Sequence, residues 1–216
     1  MRSLIVPMAG RSSRFPNMRP KWMLTHPMTN RFMVTESILG LNLDFFDNIW
    51  FICLQEHEDK YQFMKGLVSE LDEVGLRAKS NIVLLPEQTD SQSETVYTFL
   101  SGQELEGFVF IKDSDGFYRC DVEERNQVAY FDLNDMDDIN ARTKSYIELD
   151  VNNVITNIVE KKVVSSTFSS GGYGFADAKE FCKTFEKLQD MDGECYISHI
   201  IFEMMLSGST FYGTKT

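Results

Sequence analysis

The chain carries two small groups of side chains whose types and spacing suit chemistry on phosphates. The first is a loop, "AGRSSRFPNMRPK", that follows an aliphatic run and holds Arg14 and Lys21 seven residues apart. A guanidinium binds phosphate oxygens two at a time, whereas an ammonium acts as a compact point charge. Together they suit a triphosphate and the charge that builds on a leaving pyrophosphate; a solvated basic loop is the alternative. Gly10 stands at the turn from the run into the loop, where a side chain would keep the backbone away from a phosphate. Arg11 and Arg19 add to the local positive charge.

The second group is "IKDSDGF", in which Asp113 and Asp115 follow an apolar run. If the strand alternation continues, both carboxylates share a face and point into one crevice. Hard carboxylate oxygens suit Mg²⁺, which binds through one or two carboxylates plus substrate phosphates. An Asp-Ser-Asp-Gly turn that simply ends a strand is the alternative. His26, His57 and His199 are too dispersed for a triad or a metal cluster, and Cys120 has no histidine near it in sequence. The chemistry on offer is positioning and charge neutralisation.

Composition sharpens this. The formal net charge is −12, so broad binding to nucleic acid is disfavoured, and an anionic ligand needs locally concentrated basic groups. Cys53, Cys120, Cys182 and Cys195 form no CxxC pair, which argues against zinc and a disulfide framework and for reduced thiols in the cytoplasm. The apolar run near the N-terminus is too short for a signal peptide, and no stretch reaches the roughly 20 apolar residues of a membrane helix.

Strands that could position these groups are read at "SLIVPM", Ile49–Leu54, Asn81–Leu85 and "FVFIKDSDG". Between them, helices are expected around Phe32–Leu43, over Glu56–Glu73 as one amphipathic element, and over "SQSETVYTFLSG", with Ser91 or Ser93 near its N-cap and Gly102 just past its end. The alternation implies a parallel sheet with helices on both faces, whose ligand crevice lies at the carboxyl ends of the strands. After about residue 125, "QVAYFDL", "TKSYIEL", "VITNIVEKK" and "SSGGYGFA" follow too closely for crossover helices and predict an antiparallel lobe. Two helices come next, with Phe181, Phe185 and Leu188 inward on one and Ile197, Ile200, Ile201, Met204 and Met205 on a single face of the other. "STFYGTKT" reads as the start of a further strand. The expectation is a single α/β domain over 1–216: a Rossmann-like three-layer α/β/α fold with a mainly parallel mixed sheet and a small antiparallel lobe.

On these residues the chain resembles the nucleotidyltransferases that make nucleoside-diphosphate sugars and related activated alcohols. The family's signature is A-G-x-(G/S)-(S/T)-R-(F/L) followed by P-K. Here it stands as Ala9, Gly10, Arg11, Ser12, Ser13, Arg14 and Phe15, then Pro20 and Lys21, with Ser12 where a second glycine is usual. The resemblance implies that Arg14 and Lys21 hold the triphosphate and assist displacement of pyrophosphate. It makes "PEQTDSQSETV" the segment that reads the base and cradles phosphate, through Gln88, Thr89, Ser93 and Thr95. It makes Asp115 the better match for the Mg²⁺ ligand, with Asp113 close behind. It assigns the acceptor to Glu160, Lys161 (or Lys162), Gly172 and Tyr173, and to Glu194 in "GECYIS". Residues 1–120 then form the nucleotide half and 121–216 the acceptor half.

The implied reaction is transfer of a nucleoside monophosphate from a triphosphate to a sugar 1-phosphate or phosphorylated alcohol. The partners are small molecules, with no nucleic acid and no membrane, and a homodimer is compatible with the family. In many of these enzymes a second acidic metal ligand follows a late Trp-Gly-Thr-like turn, at which only Tyr212-Gly213-Thr214 hints here. Either Glu160 or Asp113 completes the site, or an element past Thr216 does, or activity is lost. The alternatives are a non-catalytic nucleotide-binding module and a glycosyltransferase of related fold that uses Asp113 and Asp115 for a nucleotide-sugar's metal. The base and the acceptor are not readable.

Overall fold

The computed structural model describes residues 1–10, 18–136 and 140–216. Four strands, β1 (Arg2–Pro7), β2 (Asn48–Leu54), β3 (Ser80–Leu85) and β4 (Phe108–Lys112), pair in parallel in the order β3-β2-β1-β4. Their alternate residues face opposite ways, and both faces are apolar. Leu4, Val6, Phe51, Phe108 and Phe110 pack with Val34 and Ile38 of α1 (Met33–Ile38) and with Leu67 and Leu71 of α3 (Met64–Glu73). Ile5, Ile52, Val109 and Ile111 pack with Phe99 of α4 (Gln92–Gln103), Phe181 of α5 (Ala178–Leu188) and Ile200 of α6 (Ile197–Leu206). Burying both faces produces three layers, as a parallel sheet requires.

The expected helix over Glu56–Glu73 is two helices, α2 (Gln55–Tyr61) and α3. Gln62 ends α2 in a left-handed conformation with φ 49°, and its amide donates to the Glu58 carbonyl at 2.8 Å. The Glu58 carboxylate then accepts from the Met64 amide at 2.9 Å, capping α3. The break has a packing reason. α2 buries none of its residues, and re-aiming the chain brings Phe63 edge-on against Trp22, with ring centroids 4.8 Å apart. Gly102 lies inside α4, which ends instead at Glu104 with φ 47°.

The second half continues the same sheet. β8 (Thr167–Phe175) runs antiparallel between β4 and β5 (Gln127–Asp132), and β6 (Ser145–Leu149) pairs with β7 (Ile155–Glu160) as an antiparallel hairpin touching β8. The last segment is the anticipated strand, β9 (Tyr212–Lys215), parallel to β5. A bulge in β8 sets Gly172 opposite Ala129 but Ser169 opposite Tyr130, with Gly171 at φ 88°. All four cysteines are free thiols, and among the described residues no helix is long and apolar enough to cross a membrane.

One close approach ties α1 to the segment after β4. The Cys120 amide donates to the Gly40 carbonyl at 3.1 Å, and a Cβ on Gly40 would overlap the Tyr118 carbonyl oxygen. Gly40→Ala is expected to lose on the order of 1–3 kcal/mol. Gly102→Ala, in a helix with open space around the added methyl, is expected to gain about 0.5–1 kcal/mol. Urea midpoints of the two variants check both signs.

Candidate active site

The site grows from the end of β4. Phe108 and Phe110 face the α1/α3 layer, and two residues on, Lys112 follows the same alternation into the interior, where it is 0% exposed. Its Nζ donates to the carbonyls of Asp113 at 2.7 Å and Gly116 at 2.6 Å, and lies 4.5 Å from the centroid of the Tyr118 ring. Burial lowers its pKa to about 8, while Asp113 and Asp115 pull the other way.

Because β4 stops at Lys112, Asp113 and Asp115 sit in a turn and do not share a strand face. The two carboxylates diverge. Asp113 is turned inward: its Oδ1 accepts from Gln92 Nε2 at 2.6 Å, and its amide donates to the Gly171 carbonyl at 2.8 Å. The bulge supplies the room, since a Cβ on Gly171 would overlap the Asp113 carboxylate. Burial, and then the neighbouring Asp115, push the Asp113 carboxyl up to about 6. Asp115 faces the opening with its side chain 36% exposed, and its Oδ2 meets Lys21 Nζ at 2.5 Å.

Lys21 is held by its neighbours. Pro20 is buried, and Trp22 packs edge-on against Phe63 and Phe32, which leaves the ammonium of Lys21 at the surface. Ala9 is buried at the end of β1, and Gly10 is exposed, with no described atom within 4 Å of where a Cβ would stand. Arg11, Ser12, Ser13 and Arg14 lie outside the described residues. Arg19 lies 5.9 Å from the Tyr61 ring centroid.

Gln88, in the loop after β3, is exposed. The hydroxyls of Thr89, Ser93 and Thr95 are instead turned into the protein. Thr89 and Thr95 share a hydrogen bond of 2.5 Å, and Thr95 also donates to the Ser91 carbonyl at 3.2 Å. Ser93 donates to the Cys195 carbonyl, joining α4 to the segment before α6. Ser91 is the N-cap of α4, accepting from the Glu94 amide at 3.1 Å.

The acceptor-side residues come from β7, β8 and the start of α6. Glu160 Oε2 accepts from Ser145 at 2.5 Å and from Ser198 at 2.7 Å. Lys161, at φ 55°, donates to the Tyr196 hydroxyl and lies 4.0 Å from that ring's centroid, and this bond raises the lysine pKa. Glu194 is exposed two residues before Tyr196 and acts on its hydroxyl. Gly172 and Tyr173 are buried within β8, and a Cβ at Gly172 would overlap the Tyr118 hydroxyl. The structure thus brings Lys21 to Asp115 directly, and Glu160, Lys161 and Glu194 together around α6.

Gln92, Lys112, Tyr196 and Ser198 lie within the quoted segments, but none of them is given a role by the sequence reading. The sequence nevertheless signals Lys112, because a lysine two places beyond Phe110 on a two-sided buried strand must point inward. Among the described residues no three His, Cys, Asp or Glu side chains gather to cage an ion. A cation already contacts Asp115, the Lys21 ammonium, and the inner Asp113 is adjacent. An exposed Asp115, with the inward-turned Asp113 behind it, suits Mg²⁺ completed largely by water and phosphate oxygens.

No protein-family model and no curated protein matches the sequence. Solved structures do. A nucleoside-diphosphate-sugar pyrophosphorylase from Vibrio cholerae RC9 superposes with a TM-score of 0.78 at 18% identity, over 99% of this chain and 91% of that one. A UDP-glucose pyrophosphorylase complexed with UDP-glucose gives 0.71 at 12%, over 100% and 91%. The inositol-1-phosphate CTP transferase from T. maritima gives 0.70 at 11%, over 99% and 84%. The fold is that of the sugar-phosphate nucleotidyltransferases.

The Asp113 environment has a consequence for stability. Its carboxyl holds a proton in the native state up to about pH 6, while the unfolded chain releases it near 3.8. The native state therefore binds more protons across that window, and this group's contribution to stability falls as pH rises from about 4 to 6. Asp113→Asn, which can still accept from Gln92, is expected to melt higher than the parent at pH 7.5, with the gap closing by pH 4. Melting curves at the two pH values check this.

Proposed function

We propose that this chain is a nucleotidyltransferase that moves a nucleoside monophosphate from a triphosphate to a phosphate monoester and releases pyrophosphate. The observation that carries the reading is the contact between Lys21 and Asp115, which joins the basic loop after β1 to the acidic turn after β4. In an open α/β sheet those loops border the ligand crevice. The likeness in fold supports it, and the neighbours include proteins named for CTP with inositol 1-phosphate and for UDP-glucose.

In this reaction an oxygen of the acceptor's phosphate forms a bond to the α-phosphorus, and the bond from that phosphorus to the bridging oxygen of pyrophosphate breaks. A phosphate oxygen is already a competent nucleophile, so the site needs no general base. Lys21, with Arg14 of the same loop, neutralises the triphosphate and the departing pyrophosphate. Asp115 and Asp113 would hold Mg²⁺, which supplies further neutralisation of phosphate charge. Gln88 offers an amide to a base edge. Glu160, Lys161 and Glu194 on the other side would orient the acceptor, so that the nucleotide half, 1–120, faces the acceptor half, 121–216. The free thiols suit a reducing, cytoplasmic setting.

The Lys21–Asp115 pair is half exposed, and such a pair contributes only about 0–1 kcal/mol. So weak a pair would leave the ammonium free for phosphate and the carboxylate free to help hold the metal. The test is thermal stability with CTP, UTP, dTTP, ATP and GTP, each with and without Mg²⁺. One triphosphate at 100 times its dissociation constant stabilises by about 2.7 kcal/mol, or roughly 5–10 °C at this size. Asp115→Ala is expected to abolish the Mg²⁺-dependent part of the shift. Lys21→Ala is expected to lower kcat by about 10²–10³-fold. No shift with any triphosphate at millimolar concentration would count against the reading.

A further inference from the structure

Among the described residues Lys112 is the only charged side chain in the buried set. Taking an ammonium out of water is expensive unless its protons are met, and an apolar residue would fill the same space more cheaply. Its protons are met in a particular way. The two acceptors are the carbonyls of Asp113 and Gly116, at 2.7 and 2.6 Å, the first and last residues of the four-residue turn that carries Asp115. The Tyr118 ring, 4.5 Å away, gives the ammonium an electron-rich floor. Among the described residues no other hydrogen bond holds the backbone of Ser114 to Gly116.

We propose that Lys112 is a positioning residue that clamps both ends of this turn and so fixes the Asp115 carboxylate for a divalent cation. The proposal rests on the reading of the site given above. Lys112 touches neither substrate nor metal; it acts through the backbone that presents Asp115. The inner carboxylate needs no such device, because Gln92 and the bulge at Gly171 already hold Asp113. Outer-shell partners of this kind typically change metal affinity by 10–100-fold when removed.

The test is Mn²⁺ binding, alone and with each triphosphate present, followed by electron paramagnetic resonance, in the parent protein and in Lys112→Met, which is one atom shorter, stays unbranched and loses the donors. Asp115→Ala serves as the control for the site itself. The expected result is Mn²⁺ binding by the parent, lost in Asp115→Ala and weakened about tenfold or more in Lys112→Met. In turnover, the metal concentration for half-maximal rate rises similarly, while KM for the triphosphate at saturating metal changes less than threefold. Lys112→Gln, able to serve one carbonyl, is expected to fall between, and it stands as the test if Lys112→Met does not fold. A folded Lys112→Met or Lys112→Gln variant with the parent's Mn²⁺ affinity overturns the clamp and leaves the proposed function intact. A parent that binds no Mn²⁺ either alone or with any of the five triphosphates present overturns both.

Discussion

The buried ammonium of Lys112, bonded to the carbonyls of Asp113 and Gly116, ties the end of β4 to both ends of the turn that follows it. Around that turn the other segments take their places. Lys21 reaches it from the segment after β1, Gln92 from α4 and Gly171 from β8. These segments are far apart in the chain, and each is held by its own local packing. Trp22 wedges against Phe63, Ser91 caps α4, and the β8 bulge leaves no Cβ in the way of Asp113.

Charge explains the economy of the arrangement. An acidic chain at −12 repels polyanions at long range, so affinity for a triphosphate must be short-range and concentrated. In the proposed function, the arginines and lysine after β1 concentrate the charge for it. Without a ligand, Lys21 and Asp115 neutralise each other at the mouth of the crevice, and because both are half exposed their attachment is weak. In the proposed function, a cationic group that holds a carboxylate this loosely is suited to release it to a metal and take phosphate instead.

The strands were legible in the sequence because each is a short aliphatic run between turn residues, and β9 was legible even at the end of the chain. The division at Gln62 was not, since neither glycine nor proline marks it. Its cause is tertiary, the burial of Phe63 beneath Trp22. Gly102 read as a helix end by type, yet α4 runs on to the left-handed Glu104. Lys21 and Asp115 stood out as candidates by residue type, and the structure brings them into contact, but the strand face read for Asp113 and Asp115 does not exist because β4 stops at Lys112. The partners Gln92, Tyr196 and Ser198 were not legible, because each acquires its role from a contact with a distant segment. The hydroxyls of Ser93 and Thr95 look available in sequence, but the helix turns them toward Cys195 and Thr89.

The central claim is that this crevice joins a nucleotide to a phosphorylated acceptor. Pyrophosphate release tests it most directly, measured with each nucleoside triphosphate against a panel of sugar 1-phosphates and phosphorylated alcohols in the presence of Mg²⁺. The account predicts release that needs both one triphosphate and one acceptor, with the diphosphate-linked product formed in equal amount. Release without an acceptor, or tight triphosphate binding with no release across the panel, would contradict it.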